Sequence, residues 1–387
     1  MVAERTDHGC TVKRDLAIDY LRSSVTVLVV AHHAALAYTT YGSYNPGNYI
    51  RSSAPIIDTA RSLPLTWFVG WNDMFFMALM FFISGLFVKP SLERKGVAHF
   101  LSDRAKRLGI PFVFAVVVLS PLAFYPSWLL SDSAAQGSFL MPFFAQNWSS
   151  GPAWFVWVLL AFSGVVASVY RVAPDFMKKL SWSPASVWHL LIGFTVVSVL
   201  TTVPLRLFIP AAEWVALPGP LSVQTWRILL YFSWFLMGVA LGGAAPEQSL
   251  SRTNLRFWPF WLILGFLTYM FHGLLELKDA FPAGTPFWKV NAIMAAVYSL
   301  CCAVTSLGAL GLARSCFQNA VSFADSFTDC AYGVYIFHYC FVTWTHYFLL
   351  SFPLPPVPKF LITFVVALTG SWLLTAMLRR TVARKVL

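Results

Sequence analysis

Charge is what this sequence is short of. Asp, Glu, Lys and Arg make up 11% of its 387 residues, whereas a soluble domain carries about 25%. So few charges cannot cover a water-facing surface, which excludes an ordinary soluble enzyme. Acids are the scarcer sign, 16 against 27 Lys and Arg. Cysteine is sparse as well, six in all with no Cys-x-x-Cys pairing, so no metal site is expected. Long polar loops, linkers and internal repeats are missing, and residues 1–387 are expected to form a single integral-membrane domain. The polar opening "MVAERTDHGCTVKRD" lacks the pattern of a cleavable signal peptide, so the first apolar run is expected to remain a helix.

What fills the chain instead is apolar: 58% hydrophobic and 17% aromatic residues, with mean hydropathy +0.67. Repeated apolar runs of roughly 20 residues each match a ~30 Å hydrocarbon core. The expected fold is an all-α polytopic bundle of ten transmembrane helices, at about 16–40, 65–88, 108–131, 153–170, 186–208, 226–245, 257–277, 291–314, 332–351 and 359–378. The lipid bilayer is then the first partner. Monomer and dimer stay open.

Lys and Arg placement orients such a bundle. With an inside N-terminus, 19 of the 27 basic residues fall on inner segments, among them Arg5, Lys13, Arg14, Arg104, Lys106, Arg107, Arg314 and Arg379. Five fall outside: Arg51, Arg61, Lys278, Lys289 and Lys359. Arg22, Arg206 and Arg227 lie within or at the ends of helices. Both termini are therefore expected in the cytoplasm, with the tails at about 1–15 and 379–387. The net charge of +11 is then topological, and no nucleic-acid partner is implied. Cys10 and Cys316 fall inside, while Cys301, Cys302, Cys330 and Cys340 lie in helices or at an inner helix end. No disulfide framework faces an oxidising compartment.

One apolar stretch carries unexpected groups. "LRSSVTVLVVAHHAAL" places Arg22 eleven residues before His33. At 100° per residue that is three turns plus about 20°, so the two share a helix face about 16 Å apart. His32 lies about 80° off that line. Asp19, one turn before Arg22, is spaced to pair with it. Ionisable groups in a membrane helix are costly and mark functional sites by default. The bland readings are snorkelling for Arg22 and a hydrogen bond across helices for His32.

Five segments in order then resemble a known family. They are Arg22-x10-His33, "MFFISGLFVKP" (Phe81 to Pro90), "RAKRLGIP" with Arg104 and Arg107, "GPAWFVWVLL", and "YGVYIFHYC". The chain is identified as a member of the integral-membrane O-acyltransferases of acyltransferase family 3. The pairing of "FFISGLF" with "RLGIP" is most similar to the branch that includes succinyltransferases of osmoregulated periplasmic glucans. Two departures stand out: Ala153 and Val156 where relatives often carry His or Glu, and Asp73 where they often carry Arg. Both fall where acceptor recognition is expected.

The resemblance implies transfer of an acyl group, acetyl or succinyl, from cytoplasmic acyl-CoA to a hydroxyl of an exported glycan or similar acceptor, in a bacterial inner membrane. No permanently bound cofactor is implied, and acetyl-CoA or succinyl-CoA is the donor substrate. The hydroxyl needs a base, and the imidazole of His33 suits that task; an acylated His33 is the other route. Arg22 and Asp19 join it as catalytic candidates. Arg104, Lys106 and Arg107 supply cations for the donor phosphates, or a plain inner-face anchor. Ser84, beside Gly85, lets a donor approach closely or merely packs helices. Tyr335 and His338 are further donor-site candidates. Asp73, Trp154, Trp157 and His32 are candidates for the acceptor, with an aromatic belt as the plainer account of the tryptophans. His272 and Glu276, i and i+4, lie at the outer end of the seventh expected helix. The competing class is a secondary transporter of a small polar or anionic solute, which would show two similar halves; none is visible.

Overall fold

The computed structural model describes residues 15–209, 214–216, 218–244, 250–277 and 280–386. Arg5, Cys10, Lys13 and Arg14 of the tail, and Lys278, lie outside the described residues. The helices are α1 (Leu16–Leu36), α2 (Leu63–Leu86), α3 (Val88–Arg104), α4 (Ile110–Phe114), α5 (Ser120–Leu129), α6 (Leu140–Gln146) and α7 (Trp154–Val172). They continue with α8 (Pro174–Lys179), α9 (Val187–Arg206), α10 (Ile228–Gly242), α11 (Trp258–Leu275), α12 (Phe287–Cys316), α13 (Ser322–Leu349) and α14 (Pro356–Leu378). Each of the ten expected segments is helical. Among the described residues, eight helices are long and apolar enough to cross a bilayer. α1 and α13 are not among the eight, and these two carry the histidines of interest.

Local chemistry sets the helix starts. Asp15 caps α1 by accepting from the Ile18 amide at 3.3 Å, and Ser62 caps α2 by accepting from Leu65 at 3.4 Å; both satisfy amides that a helix start leaves unpaired. Between α3 and α5 the chain stays helical but widens into π-turns at Ala105–Gly109 and Ala115–Leu119. Pro111 and Pro121 follow closely, and a proline removes the usual amide donor and crowds the carbonyl four residues back. Lys106 and Arg107 therefore sit in a widened turn.

α1 is the buried axis. It runs parallel to α13 with one register: Tyr20 donates to Asp325 Oδ1 at 2.9 Å and Ser23 to Thr328 Oγ1 at 2.9 Å, both 305 residues apart. At its start, Asp15 receives both terminal nitrogens of Arg314 on α12 at 2.7 Å. α2 lies against α10 at backbone distance. A Cβ on Gly238 would sit 2.1 Å from the Phe82 carbonyl oxygen, and one on Gly85 2.2 Å from that of Phe235. Gly85 is thus used for helix packing. α9, α11 and α14 lie outermost and present Ile192, Leu200, Ile263, Leu267, Leu361 and Leu373 outward, as a lipid-facing surface requires.

Three features differ from the sequence reading. α13 begins at Ser322 rather than near 332, because its first turns, "SFADSFTDCA", are too polar to register as apolar and are spent on α1 through Asp325 and Thr328. α3 is a polar helix broken at Gly96, whose φ of 74° no ordinary side chain favours. A small antiparallel hairpin pairs β1 (Trp214–Ala216) with β2 (Ser222–Gln224), Val215 opposite Val223.

Candidate active site

The parallel register of α1 and α13 brings a second histidine to the first. The rings of His33 and His338 lie 5.3 Å apart, again with a separation of 305 residues. His32 meets His33 edge-on at 5.4 Å and stacks on Phe76 at 5.0 Å. Tyr339 closes the other side of His33 at 5.1 Å. His338 is fully buried, and its Nδ1 lies 2.7 Å from the Tyr335 carbonyl oxygen. A carbonyl only accepts, so Nδ1 carries the hydrogen and Nε2 of the neutral ring holds a lone pair. That Nε2, and the Nδ1 atoms of His32 and His33, are buried without a hydrogen bond to any described residue. Buried polar atoms are normally paired, and three unpartnered imidazole nitrogens in one cluster depart from that rule. The rings do not converge as metal ligands; among the described residues no group of three His, Cys, Asp or Glu could hold an ion.

The second, fourth and fifth motif segments meet beside this cluster. Gly151 and Pro152, which precede α7, face α13: Tyr335 donates its hydroxyl to the Pro152 carbonyl, and a Cβ on Gly151, whose φ is 49°, would touch Tyr339 at 3.4 Å. The Tyr335 hydroxyl is engaged in holding α13 to this turn. Trp154 lies 5.6 Å from Tyr231 and 6.3 Å from Phe81 of the second motif. Trp157 donates to the Ser222 carbonyl of β2 at 3.3 Å. Both tryptophans are half-buried in these contacts.

At the other end of α1 lies a cationic group. Arg22 reaches Asp19 at 3.7 Å while 43% of its side chain stays exposed. Arg104 lies against the Phe100 ring at 5.1 Å and feels the charges of Arg107 and Arg22. Asp103 is taken by Lys95, which leaves the arginines in excess. Lys106 and Arg107 are exposed, and Ser84 is half-buried on the last turn of α2. On the face joining Arg22 to His33, α1 is half-buried at Asp19, Arg22 and His33 and fully buried between them at Thr26. The cationic end and the imidazole cluster are thus separate places on one helix face.

Asp73 has a partner that the sequence reading left unassigned. Arg227 donates to Asp73 Oδ2 at 2.7 Å and to the Asp73 carbonyl at 3.1 Å. Its guanidinium also lies over Trp226 at 4.7 Å and Tyr298 at 4.9 Å. Arg227 is nearly buried, yet 45% of the Asp73 side chain is exposed, so the carboxylate stays accessible. Asp73 and His32 are close enough to influence each other's charge. A signal existed: Arg206 and Arg227, like Arg22, stand at the margins of apolar runs. His346, which the sequence suggested as an interfacial residue, is instead buried on α13, its Nε2 2.9 Å from the Ala34 carbonyl oxygen. Lys359, expected in an outer loop, is buried against Asp58 at 2.6 Å.

A family model described as an acyltransferase domain matches residues 15–376. Glucans biosynthesis protein C of Salmonella typhi and that of Salmonella typhimurium (strain LT2) are each 25% identical over 230 residues. The aligned part covers 59% of this chain and 47% of each relative, so the chain spans about half the length of the curated relatives it matches. No solved structure matches. The matched model covers every motif named above, and the chain belongs to the acyltransferase-3 family of multi-pass membrane acyltransferases.

Proposed function

We propose that the chain moves an acyl group from acyl-CoA to a hydroxyl of an exported glycan or similar acceptor, with His33 at the point of transfer. The supporting observation is the cluster of His32, His33 and His338, with three unpartnered buried nitrogens. It lies toward one end of α1, and at the other end Arg22 stands near Arg104 and Arg107. Phosphates of the donor bind the arginines, for which forked donors suit phosphate oxygens. The acceptor hydroxyl gives its proton to His33 as its oxygen attacks the thioester carbonyl carbon. The carbon–sulfur bond breaks, and the CoA thiolate leaves and takes up a proton. His338, with Nδ1–H fixed on the Tyr335 carbonyl, turns a lone pair into the cluster and positions His33. An acyl-histidine on His33, formed first and then attacked by the acceptor, uses the same atoms in two steps.

The acyl group is acetyl or succinyl, and the name shared by the Salmonella relatives supports a glucan as the acceptor. The setting is a bacterial inner membrane with the arginine end toward the cytoplasm, supported by the bias of Lys and Arg to that end. Release of CoA from acetyl-CoA and succinyl-CoA by the protein in nanodiscs, with cell-envelope glycan extract as acceptor, tests this reading. Wild type turns over one donor, and His33→Ala loses at least ~100-fold, as removal of a general base does. Equal turnover by His33→Ala removes His33 from the chemistry.

A further inference from the structure

A cavity opens at the end of the bundle opposite Arg22, where α9 ends and α12 begins. Arg206, Glu276, Asn291, Leu275, Phe281 and Met294 line it. Asn291 is 5% exposed. Its Oδ1 accepts from Arg206 Nη2 at 3.0 Å, and its Nδ2 is buried with no partner among the described residues. Arg206, nearly buried, also donates to the Ile209 carbonyl at 3.1 Å and lies over Trp226 at 5.2 Å. Arg227 lies over the same indole at 4.7 Å. His272 is 3.7 Å from Glu276 and feels the charges of both arginines. A path of side-chain contacts runs from Arg206 through Trp226 and Arg227 to Asp73.

The charges along the path decide what the cavity suits. Arg206 and Arg227 are matched by Glu276 and Asp73, so these four groups leave no surplus to trap an anion. The cavity presents the unpartnered amide of Asn291, the exposed carboxylate of Glu276 and the guanidinium of Arg206, beside the apolar wall of Leu275, Phe281 and Met294. A ring with hydroxyls on its edge and C–H groups on its face meets both sets. A hydroxyl oxygen accepting from Asn291 Nδ2 would relieve the cost of burying that donor unpaired.

We propose that this cavity is a docking subsite for a neutral saccharide, the acceptor of the reaction proposed above. The inference rests on the acyltransferase reading above for its purpose, but binding is measured without any acyl donor. The probe is laminaritetraose, titrated by saturation-transfer NMR against the full chain in nanodiscs. Wild type and His33→Ala bind it alike. Asn291→Leu binds about tenfold more weakly, the loss of one buried hydrogen bond. Glu276→Ala, altered at the exposed rim where folding is insensitive, binds severalfold more weakly and decides the matter if Asn291→Leu does not fold. Absence of saturable binding by wild type overturns the proposal, as does equal binding by wild type and Glu276→Ala. Displacement of the sugar by millimolar succinate also overturns it, in favour of an anion site. The two readings fail separately. Sugar binding that depends on Glu276 while His33→Ala keeps acyl transfer defeats the His33 mechanism alone. Acyl transfer that depends on His33 with sugar binding indifferent to Glu276 defeats the subsite alone.

Discussion

Arg22 and His33 were legible as a pair because the helix period is fixed: eleven residues return to the same face whatever the tertiary fold does. Their companions were not, since pairing in space does not follow spacing along the chain. His338 is 305 residues from His33, and Arg227 is 154 from Asp73; only the packing of α13 on α1 and α10 on α2 brings them together. The Asp73–Arg227 pair yields a prediction at this scale. Arg227→Met strips a nearly buried guanidinium from a half-exposed carboxylate and should lower stability by about 1–3 kcal/mol, the cost of orphaning a charged hydrogen-bond partner. The double variant Asp73→Asn, Arg227→Met should recover part of the loss. Thermal unfolding in detergent reads both, and a double variant no better than the single would break the pairing argument.

Among the elements, α1 and α13 were the least apparent to apolarity and the most informative in structure. Both fall outside the set of helices apolar enough to cross by composition, because each gives positions to groups that address its partner. The polar first turns of α13 hid its start for that reason. The hairpin of β1 and β2 was hidden differently, as strands of three residues carry too little pattern to read. The contact of α2 with α10 was half-legible: Ser84–Gly85 suggested close approach, and the structure assigns Gly85 to the Phe235 carbonyl. Gly238→Leu, pressed against backbone and not a yielding side chain, should cost upward of ~3 kcal/mol, at the severe end for overpacking. It should sharply reduce the yield of monodisperse protein, whereas Gly273→Leu, at a glycine with open space around it, should leave yield unchanged. Comparable yields from both would show that the two helices can separate without harm.

Across the molecule, two unlike ends are joined by one buried helix. One end gathers Arg22, Arg104 and Arg107; toward the other lie the imidazole cluster, the Asp73–Arg227 pair and the cavity at Asn291. Tyr335→Phe tests how firmly the middle is held, because it orphans the Pro152 carbonyl. A loss of about 1 kcal/mol in stability and a larger proportional loss of turnover are expected if that bond sets the His338 position; unchanged turnover would assign the bond to packing alone. The central claim is that donor and acceptor arrive from opposite ends and meet at His33. Proteoliposomes of known orientation test it most directly, with acyl-CoA supplied at one face and a glycan acceptor confined to the other. The account predicts acylated glycan only when acyl-CoA is at the face carrying Arg104, and none with His33→Ala in either arrangement. Acylation with donor and acceptor both confined to the face opposite Arg104 would contradict it.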